Sequence, residues 1–228
     1  MAGPLRHVHH GLETLLPGAQ VARHRHDGAY AAIILAGGYE EAGDGGRWRV
    51  GAGDVLIHAG FAAHQDRVGA AGCRLLNLPL SGPAPADGAF AIADPDAIVR
   101  LAEVDAGAAA TLIFAQPHRP LPAQDDWPDL LAARLESAEP IRLGAWAAEI
   151  GLAAESVSRG FRRAYGVSPR RYRLEACVRR ALRRLSDGTG LAALAQDCGF
   201  ADQAHLTRAV SRLTGRSPGR WRKVNCVQ

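Results

Sequence analysis

The sequence predicts a two-domain α+β protein, with a β-barrel in the N-terminal part and an all-α domain at the C-terminus. Short apolar runs separated by glycines, typical of strands and turns, fill the first part of the chain. Near the C-terminus, two helical segments repeat each other at an offset of 48 or 49 residues. We therefore expect the barrel over residues 1–82, connecting helices over 83–139 and the all-α domain over 140–228.

Charge is distributed unevenly between the two parts of the chain. Residues 141–228 contain 17 Lys and Arg against 6 Asp and Glu, a net charge of +11, whereas residues 1–140 carry −7. A basic domain beside an acidic one indicates a polyanionic partner for the basic half. No apolar run approaches the ~20 residues that span a bilayer, and no signal peptide precedes the strands. We expect a cytoplasmic protein with no membrane partner.

The predicted strands of the N-terminal part end at glycine-containing turns. Ala31–Leu35 is followed by Gly37 and Gly38, and Trp48–Val50 by Gly51. Further strands are expected at 55–57 and 73–78, and their short length and regular turns favour a barrel or sandwich.

Helical patterns begin beyond this region. Asp94 can cap a helix that starts at Pro95, and further helices are expected over Ala108–Ala115 and near Asp129–Ser137. They either pack on the barrel or form a dimer interface, and both alternatives remain open.

The repeat itself predicts two helix-turn-helix units. In the first copy, apolar residues recur at helical spacing from Leu143 and end at Gly151, and in the second they run from Leu191 to Gly199. Glycine readily supplies the positive φ that such a turn needs. A long helix over 172–185 joins the copies.

The repeated segment resembles the DNA-binding domain of the AraC/XylS family of bacterial transcription regulators. The resemblance rests on Gly199-Phe200-Ala201-Asp202-Gln203, Leu206-Thr207-Arg208, Gly215, Ser217-Pro218 and Trp221-Arg222, with a looser copy at Gly151, Val157–Phe161, Gly166, Ser168-Pro169 and Tyr172-Arg173. It implies a regulator, not an enzyme, that binds double-stranded promoter DNA in sequence-specific fashion and contacts RNA polymerase. It also favours activation, often as a homodimer.

The second helix of each unit is expected to lie in the major groove. The resemblance implies base contacts by Ser158, Arg159, Gln203, Thr207 and Arg208. Arginines are the predicted phosphate contacts, namely Arg162, Arg163, Arg170, Arg171, Arg212 and Arg222. Because the second copy has the fuller set of base-reading side chains, we expect most sequence discrimination from it.

Histidines in the N-terminal part predict a binding site. His24 and His26 lie on one face of a strand, because strand side chains alternate. Together with His64 they could hold Zn²⁺ or another transition metal, with His58 or Cys73 as further candidate ligands.

The spacing of these histidines and several glycines resembles the two-motif pattern of a cupin barrel. The residues that carry it are Gly18, His24, His26, Gly37, Gly53 and His64. A cupin sensor is a common partner of this DNA-binding domain. In metal-binding cupins a glutamate follows the first two histidines. Here that place falls near Tyr30 or Ala31, so we expect no carboxylate ligand.

Three interpretations of the histidines remain open: a metal site, a metal-free pocket for a small effector, and histidines that only stabilise the barrel. The predicted function is therefore a transcription regulator controlled by a small ligand or metal in the barrel. The alternative is a metal-dependent cupin enzyme with a fused DNA-binding domain.

Overall fold

The computed structural model of the protein describes residues 5–82 and 87–225. It divides into two compact units, one that extends to Asp125 and one that starts at Asp126. The first unit is rich in β-structure and the second is helical, which confirms the predicted α+β fold class.

The described residues of the first unit form one nine-stranded sheet. Its strands are β1 (Leu5–Arg6), β2 (Gly11–Leu15), β3 (Gln20–His26), β4 (Tyr30–Gly43), β5 (Gly46–Gly51), β6 (Asp54–His58), β7 (Ala63–Pro79), β8 (Gly88–Ile92) and β9 (His118–Pro120). The order is β1-β3-β7-β4-β6-β8-β9, while β2 also pairs with β7 and β5 with β4. The β1–β3 pair is parallel and the other pairs are antiparallel.

The long strand β4 does not end at its glycine pair, where the sequence predicts a turn. Gly37 adopts a φ of 69° at an irregularity of the β4–β7 pairing, and the strand then continues to Gly43. A Cβ atom on Gly37 would lie 2.0 Å from the carbonyl oxygen of Gly72. Glycine at this position therefore permits a close approach of two backbones, rather than a chain reversal.

Alternation along β4 buries side chains on both faces of the sheet. Tyr30, Ala32 and Ile34 belong to one apolar cluster, whereas Ala31 and Ile33 belong to a second. A strand buried on both sides is apolar throughout, which explains why this segment reads as a continuous hydrophobic run.

Two helices cover the second of these faces. They are α1 (Pro95–Ala102), capped by Asp94, and α2 (Ala106–Ala115), capped by Asp105. The buried side chains of Ile98 and Ile113 pack into the cluster that contains Ile33. Of the two alternatives for these helices, the structure shows packing on the sheet.

The expected connecting segment 83–139 is thus divided between the two units. Residues 83–86, where it begins, lie outside the described residues. Strands β8 and β9 extend the sheet, because β8 pairs with β6. The third helix, Trp127–Glu136, belongs instead to the helical unit. Contacts with distant residues place these strands in the sheet and this helix in the helical unit, and such contacts cannot be predicted from the local sequence pattern.

The described part of the second unit contains helices only. They are α3 (Trp127–Glu136), α4 (Leu143–Glu149), α5 (Ala154–Tyr165), α6 (Pro169–Arg184), α7 (Leu191–Asp197), α8 (Gln203–Thr214) and α9 (Pro218–Asn225). The pairs α4–α5 and α7–α8 are the two predicted helix-turn-helix units, and α6 joins them.

The turns of the two helix-turn-helix units match the prediction. Gly151 and Gly199 have φ of 71° and 82°. Asp202 accepts a hydrogen bond from the backbone N–H of His205 and caps α8, a contribution of about 1 kcal/mol. Glycines in the left-handed conformation, Gly166 and Gly215, end α5 and α8.

Helix α3 packs against α5 and α6. The indole of Trp127 lies where a Cβ on Gly160 of α5 would come within 2.5 Å of the ring. Tyr165, also on α5, donates its hydroxyl to Asp129 on α3 at 2.7 Å. The helix predicted near Asp129–Ser137 therefore packs on the first helix-turn-helix unit. The sequence predicted the helix but not this packing.

The second helix-turn-helix unit has its own apolar core. Leu194 of α7 and Cys198, which follows that helix, pack with Leu206 and Val210 of α8, and Cys177 of α6 joins them. Both cysteines are buried. None of the helices in the described residues has the length and apolar character required to cross a bilayer.

Candidate functional site

Strand pairing brings three predicted histidines together in the first unit. His24 on β3 and His64 on β7 are direct partners across the two strands, and His26 lies two residues further on the face of His24. The Nε2 atoms of His24 and His26 are 3.1 Å apart, and the ring centroids of His24 and His64 are 4.3 Å apart. One ligand atom from each of the three residues lies within 4.8 Å of the other two.

Burial keeps two of these rings in their neutral form. It lowers the pKa of His24 from 6.5 to about 3 and that of His26 to about 4, and repulsion from His64 adds to both shifts. A neutral imidazole presents a lone pair, which is the form that binds a metal or accepts a hydrogen bond.

The structure adds a carboxylate that sequence reasoning missed. The side chain of Glu41, on the C-terminal half of β4, lies 2.9 Å from Nε2 of His58 and 3.4 Å from Nδ1 of His64. Glu41 does not occupy the place near Tyr30 or Ala31 where the cupin pattern has its glutamate; it joins the cluster because β4 continues past Gly37. Tyr39 and Glu41 share a strand face, and this alternation is the sequence signal from which the position of Glu41 could have been predicted.

The environment of Glu41 is unusual for a carboxyl group. Burial raises its pKa from 4.5 to about 8, against the opposing attraction of His64. Burial also lowers the pKa of His58. Each change favours the uncharged form, as expected where water is excluded.

His64 links the carboxylates to the other histidines. Its Nδ1 lies 3.0 Å from Asp66, and its Nε2 lies 3.1 Å from the hydroxyl of Tyr30. Burial would raise the pKa of Asp66, but the charge and the hydrogen bond of His64 lower it. Burial raises the pKa of Tyr30 well above 10, so its hydroxyl can donate. In the neutral ring, Nδ1–H then donates to Asp66 and Nε2 accepts from Tyr30.

We call His24, His26, His58 and His64 the histidine cluster. Among the described residues, the sets of potential ligands within 4.8 Å of one another are His24–His26–His64 and Glu41–His58–His64. Neither includes Cys73, so the structure removes this candidate ligand. Its thiol lies in the apolar cluster with Tyr30, and burial raises its pKa to about 11.

A cavity of about 120 Å³ opens beside the cluster. Its lining includes His24, His26 and His64 together with the apolar side chains of Val21 and Leu75. The cavity therefore has room for several water molecules, for a hydrated ion or for a small organic molecule.

The second unit presents the predicted base-contacting residues on the outer faces of α5 and α8. Leu206, Val210 and Leu213 bury the inner face of α8, which leaves Gln203 and Arg208 exposed. Thr207 lies at the margin of that face and is partly buried.

The same arrangement recurs on α5. Val157 and Phe161 are buried, whereas Arg159 is exposed and Ser158 partly exposed. The guanidinium of Arg159 donates to the hydroxyl of Ser156 at 3.4 Å. Further arginines are exposed along these helices and at the start of α6, namely Arg162, Arg163, Arg170 and Arg212.

Comparison with known proteins identifies this unit. A family model described as "Helix-turn-helix domain" matches residues 146–224, which begin within α4 and include α5, α6, α7 and α8. The C-terminal region of this chain is an AraC-type helix-turn-helix domain. No curated protein matches the chain.

Solved structures also resemble the chain. A probable AraC family transcriptional regulator from Rhodopseudomonas palustris CGA009 is 24% identical, with a TM-score of 0.39, over 41% of this chain and 92% of that one. The DNA-binding domain of AdpA, a global transcriptional factor in complex with target DNA, is 24% identical, with a TM-score of 0.42, over 45% and 96%. Unsaturated fatty acid-bound ToxT from Vibrio cholerae strain SCE256 is 11% identical, with a TM-score of 0.40, over 92% and 93%.

Two of the arginines predicted as phosphate contacts bind other groups of the protein. Arg171 forms an ion pair of 2.7 Å with the buried carboxylate of Glu175. Arg222 donates to the carbonyl oxygens of Leu185 and Thr189. The contacts of Arg222 fix α9 against the segment between α6 and α7. The pair of Arg171 and Glu175 lies within α6, where residues four apart are neighbours.

Proposed function

We propose that the protein is a transcription regulator that binds specific promoter sequences through α5 and α8 and responds to a ligand at the histidine cluster. The observation that carries the proposal is the exposed outer face of each second helix in the AraC-type domain, with Arg159 on α5 and Gln203 and Arg208 on α8. These side chains have the chemistry of base recognition, since arginine can donate two hydrogen bonds to guanine and glutamine can pair with adenine.

Binding combines specific and nonspecific contacts. Ser158 and Thr207 complete the proposed base-contacting set. Arg162, Arg163, Arg170 and Arg212 are the proposed phosphate contacts, which orient the domain without reading sequence. Two helix-turn-helix units in one chain would engage two major-groove segments about one turn, ~34 Å, apart. Control of transcription would then involve RNA polymerase and a homodimer, with activation as the outcome.

The ligand that we favour is a transition metal held by His24, His26 and His64. In a tetrahedral zinc site, with bonds of about 2.0–2.1 Å, neighbouring ligand atoms are about 3.3 Å apart. The 3.1 Å between the Nε2 atoms of His24 and His26 fits that spacing. Their depressed pKa values keep the lone pairs available.

A small organic effector is the second candidate. The cavity beside the cluster has both apolar and hydrogen-bonding walls, which suits a compact polar molecule. In that case the histidines would serve as hydrogen-bonding groups. Both candidates are regulatory, and neither assigns a reaction to the site.

The experiment is selection of binding sites from random duplex DNA by full-length protein without an affinity tag, with and without Zn²⁺. We expect an enriched sequence and an affinity that depends on Zn²⁺. The His24→Ala/His26→Ala variant should keep the sequence preference and lose the Zn²⁺ response, whereas His118→Ala, an exposed histidine of the same unit, should keep both. Absence of an enriched sequence would refute the DNA-binding proposal, and a Zn²⁺-independent affinity would refute metal control. Mass spectrometry of the purified protein identifies a bound organic effector.

A further inference from the structure

We infer that Glu41, His58 and His64 form a second transition-metal position, which shares His64 with the first through the two nitrogens of its ring. The inference rests on the proposed metal role of His24, His26 and His64. It adds an ion, a carboxylate ligand and a bridging imidazole to that proposal.

The ligand spacing at the second position is that of a metal site. One carboxylate oxygen of Glu41 lies 2.9 Å from Nε2 of His58 and 3.4 Å from Nδ1 of His64. These distances bracket the separation of about 3.3 Å between ligand atoms of tetrahedral zinc. A carboxylate and two imidazoles are a ligand set that zinc and neighbouring metals accept.

Burial makes a cation at this position favourable. Glu41, His58 and His64 are 2%, 4% and 6% exposed. An ionised carboxylate at such depth is costly unless a positive charge compensates it. A divalent ion between Glu41 and the two imidazoles would supply that charge, and Asp66, 3.0 Å from Nδ1 of His64, adds a second acidic group beside it.

The rings are held in the orientation that the site requires. His58 stacks on Tyr30, with centroids 4.3 Å apart and planes inclined by 8°, and its Nε2 faces Glu41. His64 turns Nδ1 towards Glu41 and Asp66. Its Nε2 therefore remains for the first position, where Tyr30 now approaches it at 3.1 Å. When both nitrogens bind ions, His64 loses its ring proton to solvent and becomes an imidazolate bridge.

The test is a count of bound metal in the full chain, stripped with a chelator and reloaded with Co²⁺. We expect two equivalents in the wild type, one in Glu41→Gln and one in His24→Ala/His26→Ala. The matched control is Glu40→Gln, the preceding residue, which pairs with Arg49 at the surface and should leave two equivalents. Circular dichroism establishes that each variant is folded.

Other counts would overturn the inference. A single equivalent in the wild type that Glu41→Gln retains would leave the first position intact and remove the second. No bound metal in any form would remove both, and with them the proposed metal control. Loading with Cu²⁺ tests the bridge without any variant, because two ions joined by one imidazolate are exchange-coupled. An electron paramagnetic resonance signal that integrates to two independent spins would contradict a shared His64.

Discussion

The carboxylate of Glu41 lies 2.9 Å from Nε2 of His58, in a region of the sheet from which water is excluded. The two side chains come from β4 and β6, so the pair forms only when these two strands have come together. This contact places ionisable groups where their protonation affects stability.

The first prediction is that protonation of Glu41 makes the stability of the protein depend on pH. The pKa of Glu41 rises from 4.5 to about 8 on folding, so between these values the folded protein binds the extra proton. The free energy of unfolding therefore decreases as the pH rises from about 4.5 to about 8, and it is constant above that range. In metal-free protein, Glu41→Gln should remove ~1–4 kcal/mol of this decrease between pH 5 and 8. Urea unfolding at each pH measures it. Equal slopes for Glu41→Gln and Glu40→Gln would contradict the prediction.

The second prediction concerns His24 and His26 and has the opposite sign. Their pKa values fall on folding from 6.5 to about 3 and about 4, so the unfolded chain binds more protons in this range. Stability of the metal-free protein is then lost as pH falls below 6.5. Between pH 7 and 5 the wild type should lose ~4 kcal/mol more than His24→Ala/His26→Ala, about 2 kcal/mol for each ring. Parallel stability curves for the two proteins would argue against neutral, buried rings.

The third prediction separates structural arginines from those that we propose as phosphate contacts. Arg222 donates to the carbonyls of Leu185 and Thr189, so Arg222→Ala should lower the free energy of unfolding by ~1–3 kcal/mol. The salt dependence of DNA binding should not change. Arg212→Ala, at an exposed position of α8, should instead reduce the slope of log K against log salt by about 1 and preserve stability. If Arg222→Ala reduced the salt slope and Arg212→Ala lowered the stability, Arg222 would be the phosphate contact and Arg212 the structural residue.

The fourth prediction tests the packing of α3 on the first helix-turn-helix unit. A Cβ on Gly160 would meet the ring of Trp127 at 2.5 Å, so Gly160→Ala should destabilise the protein by ~1–3 kcal/mol. Gly144, on α4, has nothing within 4 Å of the same atom. Gly144→Ala should therefore stabilise by up to ~1 kcal/mol through helix propensity. Thermal unfolding of the two variants measures the contrast, and a Gly160→Ala protein as stable as the wild type would exclude this contact.

Local signals in the sequence predicted much of this arrangement. Gly151 and Gly199 mark the turns, Asp94 marks the start of α1, and the alternation of His24 and His26 marks a shared strand face. Each of these features depends on residues close together in the chain, where periodicity and capping chemistry are informative.

The features that the sequence did not predict depend on distant partners. Glu41 reaches His58 because β4 continues through Gly37, and Arg222 bonds to Leu185, 37 residues away. Trp127 packs against Gly160 although α3 and α5 carry no shared motif. Strand pairing and helix packing create these neighbours, and a single sequence does not record them.

The proposed function requires the AraC-type domain to read bases, with Arg208 on α8 as a principal reader. Its most direct test is the affinity of wild type and Arg208→Ala for a selected duplex and for that duplex with each base pair changed in turn. We expect Arg208→Ala to cost ~1–3 kcal/mol on the selected duplex and to lose discrimination at one position. Equal weakening on every duplex, with discrimination unchanged, would make Arg208 a phosphate contact and contradict the claim.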